Sequence, residues 1–167
     1  MDLAIECLRK SNELMPYSDI SYTIEDYQKL ASYLEDTGKY EEALKELLKL
    51  DRPDLSYTDK YRLYSHLTYT FSKLNNPNQS KLYSATSMFY QFKDRSIQLS
   101  NAENGSNGIQ QNALKDLLTQ IETELDKCLA DLLIPPEHIR EIKTLFLSGK
   151  MTEQMLKDKL QFYIKNI

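Results

Sequence analysis

Tryptophan is absent from the 167 residues, glycine occurs four times, and histidine and cysteine only twice each. Each shortage excludes something. Gly38, Gly105, Gly108 and Gly149 are too few and too scattered to build a phosphate-cradling loop, and no G-x-G-x-x-G or P-loop spacing occurs. His66, His138, Cys7 and Cys128 form neither H-E-x-x-H nor C-x-x-C, and a Cys-His dyad would need two of them to meet by a coincidence of folding. The chain therefore reads as non-enzymatic, with no catalytic residue, metal or cofactor. Apolar runs are short, as at Leu132 to Ile134, whereas a membrane span needs roughly 18 apolar residues. Asp2 and Glu6 are unsuited to a secretory leader, so the expected compartment is the cytoplasm, with the nucleus as the alternative. With 21 basic against 25 acidic side chains and a net charge of −4, neither a nucleic-acid backbone nor an acidic lipid surface is the expected partner.

What is present is helical patterning. A composition of 41% hydrophobic and 28% charged residues suits one compact domain, and apolar residues recur at three and four almost throughout. The expectation is an all-α fold of about eight helices arranged as antiparallel hairpins. The first runs from Asp2 to Leu14 with Leu3, Ile5, Cys7 and Leu8 near its inner side. A second is capped by Thr23 and reaches Gly38 along Tyr27, Leu30, Ala31 and Leu34, and Tyr40 opens a third at once. Ser56 and Asp59 start a fourth in capping-box fashion, and Pro77 suits the first turn of a fifth. Residues 98–112, rich in Asn, Ser and Gly, read as a flexible linker. Leu114, Leu117, Leu118, Ile121, Leu125 and Leu129 then describe a helix buried on one broad face, and Pro135 and Pro136 stop it. A short helix along Ile139, Ile142 and Phe146 and a last one capped by Thr152 complete a single domain of residues 1–167.

Two family resemblances follow. Tyr27, Leu30, Ala31, Leu34, Gly38, Tyr40, Ala43 and Leu47 are spaced like a tetratricopeptide hairpin, in which small residues let two helices approach and glycine turns the chain. The match covers one hairpin, and no second copy recurs at a period of about 34 residues. Further along, Leu30-Ala31 with Gly38-Lys39-Tyr40-Glu41-Glu42-Ala43-Leu44, then Leu55-Ser56 with Leu63-Tyr64-Ser65-His66-Leu67, resemble stretches of the dimer-forming half of the 14-3-3 family. Ile121-Glu122-Thr123-Glu124-Leu125, with Cys128 and Leu133-Ile134-Pro135, resembles a later helix of that family in the same order.

These resemblances imply a protein-protein interaction adaptor that binds a protein or a peptide segment, phosphorylated in the 14-3-3 case. The basic stretch that grips phosphate in that family reads Tyr69-Thr70-Phe71-Ser72-Lys73-Leu74 here, so its arginines are not matched. Lys73, Lys81 and Tyr69 are the anion-contact candidates, and independently of any family the basic residues Lys60, Arg62, Lys73, Lys81, Lys93 and Arg95 fall in neighbouring helices. The 14-3-3 resemblance also implies a homodimer, with Leu30, Ala31, Leu34, Tyr61, Tyr64, Leu82 and Phe89 at its interface. The alternatives are a tetratricopeptide-like peptide-binding module and a structural helical subunit of a larger assembly.

Overall fold

The computed structural model describes residues 2–14, 20–103 and 108–165. Among the described residues the chain is all-α, with eight helices and no strand. The helices are α1 (Asp2–Leu14), α2 (Ile20–Asp36), α3 (Tyr40–Lys49), α4 (Tyr57–Lys73), α5 (Pro77–Glu103), α6 (Gly108–Asp131), α7 (Pro136–Leu147) and α8 (Glu153–Ile164). The chain divides into two compact units, Met1–Ser80 and Lys81–Ile167. Each unit has its own apolar core.

In the first unit α2 is central, packing against α1, α3 and α4, while α3 also packs against α4. Leu30, Leu34 and Ala43 are fully buried with Ile5, and Leu8 leans against them. Ile5 and Leu8, three apart, thus form the inner edge of α1, whereas Leu3 and Cys7 are exposed, contrary to expectation. Ala43 has almost no side chain, which lets α3 approach α2 closely. Arg9 of α1 pairs with Glu42 of α3, and that guanidinium holds the Glu42 carboxyl below its ordinary range.

Helix ends follow local chemistry closely. Ser56 Oγ accepts from the Asp59 amide at 3.1 Å, and Thr152 Oγ1 accepts from the Met155 amide at 3.3 Å, both caps read from the sequence. α2 begins at Ile20, so Thr23 falls within the helix and not at its start. Gly38, at φ +74°, closes α2 with the Lys39 amide on the Leu34 carbonyl at 2.8 Å and its own amide on the Glu35 carbonyl at 3.0 Å. Asn75 ends α4 in the same left-handed conformation.

A third such position is less comfortable. Leu133 ends α6 at φ +56°, with its amide on the Ala130 carbonyl at 2.8 Å and the Ile134 amide on the Leu129 carbonyl at 3.3 Å. Ile134 is buried, while the Leu133 side chain stays 70% exposed. A leucine there carries the left-handed steric cost without any packing in return. Leu133→Gly is accordingly expected to raise stability by about 1 kcal/mol, read as a higher urea midpoint at unchanged slope.

In the second unit the expected linker is largely helix. α5 continues through Gln98 to Glu103 and α6 begins at Gly108, with residues 104–107 outside the described residues. The reason is local: no glycine or proline interrupts α5 after Pro77, and Gln98 bonds Asp94 at 2.9 Å and Arg95 at 2.5 Å along the helix. The Gln111 amide also donates to the Ala102 carbonyl at 3.3 Å, and Lys115 lies 3.7 Å from Glu103, so the two helix ends are tied. The broad face expected of α6 is buried only in its second half. Ile121, Leu125 and Leu129 are inside, but Leu117 is 38% exposed.

Lys143 of α7 is buried. Its ammonium donates to Glu122 at 2.6 Å and Asp126 at 2.8 Å on α6 and lies 5.7 Å from the centre of the Phe92 ring. Burial opposes the charge, but hydrogen bonds to Asp126 and Glu122 more than offset it and raise the ammonium above the ordinary lysine value. This cluster fixes α7 on α6.

Candidate functional site

The site is built where α2 and α4 meet. Glu35 of α2 is 8% exposed, and its carboxylate is held from α4 by Thr70 Oγ1 at 2.6 Å and His66 Nδ1 at 3.1 Å. Thr70 Oγ1 also lies 2.9 Å from the His66 carbonyl, so its single proton is shared. This polar contact joins the two helices at one level. Beside it, residues of both helices line a cleft of about 640 Å³.

Helical spacing determines what lines it. Glu25, Gln28, Lys29, Ser32, Tyr33 and Asp36 recur at three and four along one face of α2, and Asp59, Arg62 and His66 do so along α4. Arg62 and His66 also form part of a smaller cleft of about 350 Å³ with Glu35, Tyr61, Ser65 and Tyr69. They stand on the wall common to both. Volumes of this order are those in which proteins hold small ligands or short peptide segments.

Most charges around the cleft are engaged. Lys29 lies 3.2 Å from Glu25 and 3.8 Å from Asp26, and the hydrogen bond with Glu25 raises its ammonium above the usual lysine value. Asp59 accepts from Ser56 Oγ at 2.5 Å within the α4 cap. Arg62 and Asp36, by contrast, have no hydrogen-bonding or ionic partner among the described residues. The Gln28 amide nitrogen is shielded from solvent and also lacks a partner there. A native interior rarely leaves such a donor unsatisfied.

The sequence candidates are distributed unevenly about this site. Tyr69 lines the smaller cleft, with its ring 6.3 Å from that of Tyr40 and the Lys73 ammonium 5.2 Å from its centre. Lys73 lines neither cleft, and Lys81 is an exposed residue of the second unit. The row of tyrosines on α4 divides in function. Tyr64 is fully buried and donates to Asp51 at 2.8 Å, while Tyr61 and Tyr69 face the smaller cleft.

Most of the residues expected at a dimer interface are buried within this chain. Leu30, Ala31, Leu34, Tyr64 and Phe89 have no exposed surface, and Leu82 is 6% exposed, so this chain's own core has already covered them. Only Tyr61 of that set keeps appreciable exposure. What sequence reading missed is the polar face of α2, including Gln28, Ser32 and Glu35. Its signal was a helical row of polar residues, which looks the same whether it borders a cleft or open solvent.

The remaining reactive groups are differently placed. His138 Nδ1 lies 2.5 Å from Tyr163 Oη. Burial pushes the Cys128 thiol above the usual cysteine value against a lowering hydrogen bond with Ser84, which makes it a poor nucleophile. Ser65 Oγ donates to the Tyr61 carbonyl at 2.9 Å and is thereby directed along its own helix. Among the described residues no His, Cys, Asp and Glu cluster could hold a metal ion, and no helix is long and apolar enough to cross a membrane.

Fold and site together define, among the described residues, an all-helical chain with a cleft between two helices. No family model, curated protein or solved structure matches the chain.

Proposed function

We propose that this chain is a non-enzymatic interaction module that takes a peptide segment of another protein into the cleft between α2 and α4. The observation that carries the reading is the cleft itself, about 640 Å³ in volume and walled by the polar faces of two helices that Glu35, His66 and Thr70 hold together. Asp36 and Arg62, which have no hydrogen-bonding or ionic partner among the described residues, add to it, because a peptide brings side chains that can pair with them. A tetratricopeptide-like groove accords with the placing of α2, α3 and α4 and with the glycine turn at Gly38. A divergent 14-3-3-like adaptor is the second reading, supported by the order of the sequence matches.

Selection from a phage-displayed peptide library, followed by fluorescence polarisation with the enriched peptides, tests this function. Ser32, half-buried on the cleft wall, is the position to fill. Ser32→Trp is expected to weaken binding at least about tenfold while the far-ultraviolet circular dichroism stays helical. Failure to enrich any peptide, or binding untouched by Ser32→Trp, would overturn the reading.

A further inference from the structure

We infer that the cleft anchors its peptide through an acidic residue paired with Arg62, read as a carboxylate in preference to a phosphate; this rests on the peptide-binding reading above. Arg62 is placed for the role because it stands on the wall shared by the two clefts, so a segment lying in either meets its guanidinium. It is exposed and has no ionic partner among the described residues. The other cation of the larger cleft, Lys29, is already engaged by Glu25 and Asp26. A planar guanidinium offers paired donors that match the two oxygens of a carboxylate, so one residue can fix both position and orientation.

The surroundings decide between carboxylate and phosphate. Asp36 and Asp59 line the same cleft as Arg62, and Glu35 lines the smaller one. Asp36 is uncompensated among the described residues. A phosphate carries nearly two negative charges at neutral pH and is usually bound by several basic groups together. Here it would meet one free guanidinium among carboxylates, whereas a single carboxylate balances Arg62 with half the repulsion. Unpaired Asp36 adds a complementary element, favouring a basic residue elsewhere in the same segment.

The test uses the selected peptides and the full chain in fluorescence polarisation. A recurring Asp or Glu is expected among them, and replacing it by the corresponding amide should weaken binding about tenfold to a hundredfold. Arg62→Gln should cause a loss of the same size, and the two changes together should cost little more than either alone. Phosphoserine at the anchor position should bind more weakly than Glu. Because Arg62 is exposed and has no partner among the described residues, Arg62→Gln should leave the urea midpoint unchanged, so lost binding will not reflect lost fold. Additive losses, selected peptides without a shared acid, or tighter binding of phosphoserine would overturn the inference. If Ser32→Trp abolishes binding while Arg62→Gln does not, the anchor is wrong and the cleft stands. If neither substitution matters, the peptide-binding reading itself fails.

Discussion

Phe146→Ala is expected to lower the free energy of unfolding by about 3–5 kcal/mol, the largest single loss in the second unit. Phe146 is 3% exposed on α7, and its ring meets those of Phe89 at 5.3 Å and Tyr90 at 5.2 Å, both edge to face. Such pairs contribute about 0.5–1.5 kcal/mol each beyond the area they bury. The Lys93 ammonium lies 5.0 Å from the centre of the ring and donates to the Phe146 carbonyl at 3.1 Å, so the same residue also anchors a cation near the C-terminal end of α7. Truncation removes the ring from all three neighbours at once. Phe146→Leu should recover part of the loss by refilling the space without the aromatic geometry. Urea unfolding followed by circular dichroism measures both, and a loss below about 1 kcal/mol for the alanine variant would show that the ring cluster is not the centre of this core.

The second large effect belongs to the unit that carries the cleft. Leu34→Ala should cost about 2–5 kcal/mol, since Leu34 is fully buried among Leu30, Ala43 and Ile5 at the junction of three helices. Leu34→Met keeps the volume and should cost under about 1.5 kcal/mol. The loss should also reach the site. Glu35, the next residue, holds His66 and Thr70, so loosening α2 loosens the cleft wall. Peptide affinity should therefore fall for Leu34→Ala under conditions where circular dichroism still reports a helical chain. Unchanged affinity would mean that the wall is set by α4 alone.

Much of the fold was legible because its determinants are local. Ser56, Thr152, Pro77 and Gly38 each act on the turn of helix beside them, through a side-chain oxygen, a fixed φ or a permitted positive φ, and all four stand where the sequence places them. The misreadings also have physical causes. Residues 98–103 look like a linker by composition, yet a helix already formed extends through Gln98 and Ala102 while nothing breaks it. Leu133 gives no sign of a left-handed turn, because there the backbone hydrogen bonds and the burial of Ile134 outweigh the intrinsic preference of leucine.

The candidate site was legible only in part. Arg62 and Tyr69 stood out as a basic residue and an anion-contact candidate, but nothing in their spacing places them beside Glu35 or Gln28, more than two dozen residues earlier in the chain. By itself the sequence determined that this protein is helical, where most of its helices begin and end, and which stripes are apolar, since periodicity and capping operate within a few residues. Only the tertiary structure decided which polar faces became useful. The packing of α4 on α2 buried Glu35 with His66 and Thr70 and opened a cleft beside them, and that of α7 on α6 drew Lys143 inside between two carboxylates. The physical reason is that a polar helical face carries the same pattern against water as against another helix, and the distinction arises when the second helix arrives.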